Sequence, residues 1–374
     1  MQKIKLLFLI DSLNAGGAQQ QLFELVKGLD KLRYDITIIS WYPGNFYEEL
    51  CVITGVEWWE VKRKSRYDFS PLIKAFKIIR SQKINIIHAY LDSACFYGAV
   101  CKLFFRRIIF IATERSSFKN LTRLQKIHKP VSHFLADMTI ANSYAGAKYL
   151  AQLGVNERKI KIIRNGIDTG RLNPSHDQME DFRKNASFPH NKRIILMVGR
   201  ITRLKNQLLV LDAYTNSSAK DNFILLFVGN SDTEYGVIIN NFIGKNDLSK
   251  NVYILNASNS ISLYYSVSEV VLLFSDFEGS PNVVLEAMAT SRPVISSDVG
   301  DVKYFVDDSF GWILPVRDHN ALIETFNLIA CMSTKELMDR GALAYQKFER
   351  LQLSTSTMVS HHVNLYSELT SALV

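Results

Sequence analysis

The sequence predicts an α/β protein made of two doubly wound, Rossmann-like domains facing a central cleft. Three observations carry that prediction: the length, an alternation of short apolar runs with helix-period segments, and a restart of the alternation near mid-chain. At 374 residues the chain is longer than the ~250–300 residues at which one hydrophobic core stops growing. It is 47% hydrophobic and 21% charged, the balance of an ordered globular protein rather than a disordered or fibrous one.

The first half offers strands at residues 4–10, 35–41, 84–88, 108–113, 138–141 and 161–163, rich in Ile, Leu, Val and Phe. Helical patterns separate them, which implies βαβ units and a parallel sheet covered on both faces. The same grammar resumes at residues 193–198, 223–228, 252–255, 270–274 and 293–296. Residues 165–191, rich in Gly, Pro, Asn, Asp and Ser, read as the linker. The expected domains are 1–170, with a C-terminal helix near 355–374 packing back on it, and 171–354.

No apolar run approaches the ~20 residues of a membrane-spanning helix, and Asp11 and Asn14 interrupt the first run as no signal peptide would allow. A cytoplasmic location is expected. The four cysteines, Cys51, Cys95, Cys101 and Cys331, match neither a disulfide framework nor a zinc site, and are expected to be reduced core residues. The eight histidines contain no HExxH, so no metal site is expected.

In sheets of this class ligands sit beyond the carboxyl ends of the strands, so the segments directly after strands matter most. DSLNAGGAQQ follows the first strand; Gly16 and Gly17 let backbone approach a ligand ahead of a helix N-terminus. MVGRITRLKN opens the second half. There Gly199 ends a strand, and Arg200 and Lys205 converge in one loop as a cation pair able to neutralise a diphosphate. SDFEGSPNVVLEAMA follows the run at 270–274: Ser280 as cap and Pro281 as first residue predict a helix from Asn282 and Val283 onward. Glu278 on that loop and Glu286 on the helix reach one ligand from two directions, as carboxylates accepting from sugar or ribose hydroxyls would. Asp276-Phe277-Glu278 also has the form of a metal-binding DxD, but its setting favours sugar recognition.

At these residues the sequence resembles retaining glycosyltransferase family 4, whose members have the GT-B fold. The resemblance runs through AGGAQQ, IIHAYLDSACFYGA, ANS at 141–143, RNGID at 164–168, GRITRLKN and EGSPNVVLEAMA, six motifs in order along nearly the whole chain. It implies that Arg200 and Lys205 bind the donor diphosphate and Glu286 the nucleotide ribose. Glu278 and the backbone of Gly279, Ser280, Pro281 and Asn282 would grip the donor sugar, and Gly16 and Gly17 would face the phosphates. It further implies transfer with retention, by front-face attack in which the leaving phosphate helps deprotonate the acceptor, and no cofactor beyond the nucleotide sugar, a UDP-sugar by family analogy. The chain departs from the family where His-x-His is usual: it reads His88-Ala89-Tyr90. His88 is carried over as a candidate catalytic residue, and Tyr90 and Arg115 as acceptor-side candidates. Ser291-Arg292-Pro293 replaces the usual Gly before Pro.

Charge points to the partner. Residues 1–174 hold 27 Lys and Arg against 14 Asp and Glu, the remainder 17 against 22. Basic residues beside aromatics at Lys62, Arg63, Lys64 and Arg66 after Trp58-Trp59, along the helix at 71–83 (Lys74, Lys77, Arg80), at Phe104-Phe105-Arg106-Arg107, and from Lys119 to Lys129 suit docking on an anionic membrane surface. The expected acceptor is a lipid-linked saccharide or oligosaccharide, and nucleic acid is not an expected partner. A dinucleotide-dependent dehydrogenase is disfavoured because no GxGxxG with a following acidic residue is present. The alternative from another class is a non-catalytic sugar-nucleotide or nucleic-acid binding protein, which would tolerate loss of Glu278.

Overall fold

The computed structural model describes residues 3–65, 68–115, 123–185, 188–189, 191–258 and 260–371. The chain divides into two compact units, Met1–Gly166 with Ser354–Val374, and Ile167–Leu353.

Unit 1 alternates β1 (Ile4–Leu9), α1 (Gly17–Gly28), β2 (Tyr34–Ser40), α2 (Glu48–Thr54), β3 (Glu57–Glu60), α3 (Ser70–Gln82), β4 (Ile86–Tyr90), α4 (Asp92–Phe104), β5 (Ile109–Glu114), α5 (Arg123–Leu135), β6 (Met138–Ala141), α6 (Tyr144–Gln152) and β7 (Ile160–Ile162). Its sheet is parallel, in the order β3-β2-β1-β4-β5-β6-β7. Alternate residues of each strand feed opposite faces: Leu6 and Phe8 join one core layer, Leu7 and Leu9 the other.

Unit 2 opens with α7 (His176–Asn185) and continues through β8 (Arg193–Val198), α8 (Gln207–Thr215), α9 (Ala219–Asn222), β9 (Phe223–Val228), α10 (Glu234–Lys245), β10 (Val252–Leu255), α11 (Ile261–Val267), β11 (Val270–Leu273), α12 (Asn282–Ala289), β12 (Val294–Ser297), α13 (Val302–Phe305), β13 (Gly311–Leu314), α14 (His319–Cys331) and α15 (Thr334–Arg350). The sheet order is β10-β9-β8-β11-β12-β13, all parallel. Ser333 and Glu336 close a capping box at the start of α15. The last helix, α16 (Thr355–Ser371), returns to unit 1, where it packs on α1. Glycines permit that contact: a Cβ on Gly28 would meet Val359 Cγ2 at 2.5 Å, and one on Gly166 the Thr355 Cα at 2.7 Å.

Three sequence expectations change. Residues 165–191 are not simply a linker, because α7 lies there and its Phe182 stacks edge-on against Tyr264 with ring centroids 5.3 Å apart. Two strands, β3 and β13, were not anticipated. Cys331 is exposed, whereas Cys51, Cys95 and Cys101 are buried, all four as free thiols.

Each sheet has one point where strand order reverses, between β1 and β4 in unit 1 and between β8 and β11 in unit 2. Loops leaving such a pair in opposite directions open a crevice at their carboxyl ends, the favoured ligand position in doubly wound sheets.

Candidate active site

At the switch point of unit 2, the loop after β8 meets the loop after β11. Lys205 Nζ lies 2.5 Å from Glu278 Oε1, bridging the two loops with both side chains about four-fifths buried. The backbone reinforces the junction, since Asp276 N donates to Leu204 O at 2.9 Å. Asn206, in the left-handed region at φ 56°, donates through Nδ2 to Phe274 O (3.0 Å) and Asp276 Oδ1 (2.7 Å). Arg317 clamps both Asp276 oxygens at 2.7 and 2.6 Å, which holds that carboxyl below its ordinary range. Asp276 is therefore a brace of the loop, paired with Arg317 and Asn206.

Close backbone packing brings these loops together, and glycine is required for it. Gly199 has φ 146°, and a Cβ on Gly229, after β9, would sit 2.1 Å from Gly199 O. Gly300, after β12, has φ 54°, and its Cβ would sit 2.1 Å from Gly279 O. Asp301 N completes that seam with a 2.9 Å hydrogen bond to Gly279 O. Arg200 leaves the same junction with its side chain exposed.

The helix α12 begins at Asn282 with Pro281 as its N-cap; Ser280 is not the cap, because Pro281 is still extended at ψ 116°. Glu286, one full turn inward, is buried, and its carboxylate is fixed by two donors. Arg171 Nη2 reaches Oε1 at 3.0 Å and the Tyr265 hydroxyl reaches Oε2 at 2.7 Å. Burial and the neighbouring Glu286 charge push the Tyr265 hydroxyl well above its ordinary pKa, so it stays a donor. Arg171 and Tyr265 were not anticipated from sequence, nor were Gly229 and Gly300.

The family profile described as "Glycosyltransferase Family 4" matches residues 15–171, and "Glycosyl transferases group 1" matches residues 178–340. This chain belongs to the family 4 type of GT-B glycosyltransferases. It is 24% identical over 324 residues to the capsular polysaccharide biosynthesis glycosyltransferase CapH of Staphylococcus aureus, covering 82% of this chain and 86% of that one. It is 25% identical over 339 residues, 87% of this chain and 89% of that one, to the Campylobacter jejuni N-acetylgalactosamine-N,N'-diacetylbacillosaminyl-diphospho-undecaprenol 4-alpha-N-acetylgalactosaminyltransferase. The crystal structure of Anabaena HepE in complex with UDP and glucose superimposes with a TM-score of 0.86 at 18% identity, over 97% of this chain and 99% of that one.

In unit 1 of this glycosyltransferase, Gly16 is the extended N-cap of α1 and Gly17 its first residue. Arg115 follows β5, lies over the Tyr90 ring at 5.6 Å and donates to Asn165 Oδ1 at 2.8 Å. Tyr90 is buried, and its hydroxyl is pushed up by desolvation. His88 does not fit the catalytic role expected of it. It is fully buried, with Nδ1 2.7 Å from the Tyr366 hydroxyl and its ring packed on Phe8, Tyr90 and His362. Burial, with His362 and Arg115 nearby, depresses its pKa well below the ordinary value. A neutral imidazole with no exposed atom belongs to the seam between β4 and α16, not to a reacting centre. Of the basic residues, Arg66 and Lys119 lie outside the described residues.

Proposed function

We propose that this glycosyltransferase moves a sugar from a UDP-sugar to a lipid-linked saccharide with retention of anomeric configuration and without a metal ion, in the assembly of a cell-surface polysaccharide. The observation that carries the reading is the unit 2 switch point, where the Lys205–Glu278 bridge stands beside the N-terminus of α12 and the braced Glu286. In the free protein Lys205 and Glu278 satisfy each other. On donor binding Lys205, with Arg200, turns to the diphosphate and Glu278 accepts from hydroxyls of the transferred sugar. Glu286 takes the ribose hydroxyls, and the N-terminal end of α12, at Asn282 and Val283, adds positive potential. Catalysis on this scheme is electrostatic and positional: cations stabilise charge developing on the departing phosphate, which itself takes the acceptor proton. Two cationic side chains and a helix end supply the charge that a divalent ion would otherwise bring.

Relatives support the substrate classes. The Campylobacter enzyme is named for a diphospho-undecaprenol acceptor, and an Escherichia coli relative, 24% identical over 278 residues, for UDP-Gal and a diphosphoundecaprenol acceptor. A membrane-bound acceptor asks for a docking surface, and α5 offers one. Ile127, Val131 and Phe134, at helical spacing, are 67%, 49% and 71% exposed, with Lys126 exposed alongside. The helix α4 packs against α5 and exposes Leu103, Phe104, Arg106 and Arg107 at or just beyond its end. Exposed apolar residues with exposed cations close by in sequence suit peripheral attachment at the cytoplasmic membrane face. No helix among the described residues is long and apolar enough to cross a membrane.

The test is a panel of UDP-glucose, UDP-galactose, UDP-N-acetylglucosamine and UDP-N-acetylgalactosamine against undecaprenyl-diphosphate-linked mono- and disaccharides, with and without EDTA. UDP release that requires a lipid-linked acceptor and survives EDTA supports the reading. Release abolished by EDTA removes metal independence, and no release with any pair removes the substrate assignment.

A further inference from the structure

The switch point of unit 1 is also a junction of two loops joined by side chains. There the loop after β1 meets the turn after β4. Asp11 leaves β1, Ser93 is the second residue of α4, and the Ser93 hydroxyl donates to Asp11 Oδ1, a side-chain contact joining the two loops across the reversal of strand order. Among the described residues no hydrogen bond reaches the other Asp11 oxygen, and the residue is only partly buried.

The turn that presents Ser93 is strained. Leu91 has φ 76° and ψ 161°, a conformation that only glycine adopts readily. The strain persists because the neighbouring Asp92 is clamped by Lys129, 3.1 Å from Oδ1, and Lys129 is buried against Glu114 at 2.6 Å. The backbone of Asp11 is equally fixed, since its carbonyl accepts from Trp41 N at 3.1 Å and Tyr42 N at 2.8 Å. Arg63 lies within electrostatic reach of the carboxylate. Its guanidinium sits 5.9 Å from the centroid of the Tyr42 ring and 6.0 Å from that of Tyr97. The result is a largely desolvated carboxylate with one committed oxygen and one open oxygen, next to a cation seated on aromatic rings.

We propose that Asp11 and Ser93 hold a hydroxyl of the acceptor sugar, with Arg63 set against the phosphate at that sugar's reducing end. The ligand class is a pyranose carrying a phosphate on C1. A carboxylate with an open oxygen accepts from a hydroxyl, while Ser93 fixes its orientation and can itself donate or accept. The inference rests on the proposed function for the identity of the acceptor, and the contact itself is tested separately from turnover.

Two measurements decide it. With a donor that turns over on an undecaprenyl-diphosphate-linked monosaccharide, Asp11→Asn should raise the acceptor KM about 10- to 100-fold, the loss of one charge-assisted hydrogen bond. The rise should fall on acceptor KM and not on donor KM, and Ser93→Ala should show the same split more weakly. An unchanged acceptor KM in both variants, or an equal rise in donor KM, overturns the proposal. Saturation-transfer NMR with N-acetylglucosamine 1-phosphate and the full-length chain reads the contact without turnover. Signal in the wild type that is lost in Asp11→Asn, and that shifts in Arg63→Gln toward equality with methyl N-acetylglucosaminide, supports the subsite. Equal signal in wild type and Asp11→Asn, or none in wild type, refutes it. A panel without turnover alongside a wild-type signal that Asp11→Asn loses would sink the proposed reaction while leaving the subsite standing.

Discussion

Replacing Asp11 with Asn should make the protein more stable near neutral pH, not less. Burial, helped by the charge of Asp92 and opposed by Ser93 and Arg63, raises the Asp11 pKa from 3.8 to about 6. The folded state therefore holds a proton that the unfolded chain has already released between those two values. Stability contributed by this group is fully present below about pH 4 and is lost as pH rises to about 6. At roughly 1.4 kcal/mol per pKa unit, the ionised carboxylate costs the native state about 3 kcal/mol at pH 7. Asn keeps the shape and an acceptor for Ser93 but carries no charge, so Asp11→Asn should recover most of that, on the order of 5 °C in Tm for a unit of this size. The groups facing Asp11 are Asp92 and Tyr97 from α4 and Arg63 after β3, with Lys129 of α5 and Glu114 of β5 behind Asp92. The assay is thermal unfolding of both proteins at pH 7 and pH 4.5. The gain should appear at pH 7 and shrink at pH 4.5. A gain of equal size at both values, or a lower Tm for the variant at pH 7, refutes the argument. A residue whose removal stabilises the fold is one retained for function, the usual trade at a binding site.

Lys205→Ala should lower turnover of the folded protein on the order of 10²-fold, measured by steady-state UDP release, because it removes a contact made to developing charge at the leaving phosphate; near-normal turnover removes Lys205 from the mechanism. Gly300→Ala should raise donor KM, since its Cβ would press on Gly279 O and part the loop that carries Glu278; an unchanged donor KM would show that the seam yields without moving the site. His88→Leu should lower Tm by leaving the Tyr366 hydroxyl without its partner, while kcat of the folded protein stays within about threefold of wild type, well short of the 10²-fold expected of an acid–base residue. Phe134→Ser together with Ile127→Ser should reduce flotation with anionic liposomes without altering UDP binding, and full flotation of that variant would move the docking surface away from α5.

Much of the scaffold could be read from sequence because parallel strands buried on both faces are written as unbroken apolar runs. The runs at 193–198, 223–228 and 252–255 coincide with β8, β9 and β10. The strands that escaped, β3 and β13, lie at the edges of their sheets. Glu57–Glu60 is only four residues long, and its two tryptophans sit between glutamates as an adjacent pair, neither an alternation nor an unbroken apolar run. The helix α7 was hidden in a polar stretch because few of its residues, among them Phe182, supply its packing. Within the candidate site, Lys205, Glu278 and Glu286 announced themselves by charge placed directly after strands beside glycine. Their braces did not: Arg171 is 115 residues from Glu286, and Tyr265, on a different helix, looks like any core tyrosine until the fold places its hydroxyl on the carboxylate. His88 misled in the opposite sense, since a histidine closing a strand carries no mark of whether it faces a ligand or, as here, Tyr366.

The central claim is that unit 2 receives the nucleotide at its strand-order reversal, and a crystal of the protein soaked with UDP tests it most directly. The account predicts ribose hydroxyls within hydrogen-bonding distance of the Glu286 carboxylate and a pyrophosphate against Lys205 and Arg200, with the Lys205–Glu278 bridge opened. A bound nucleotide that leaves that bridge intact and makes no contact with Glu286 would contradict it.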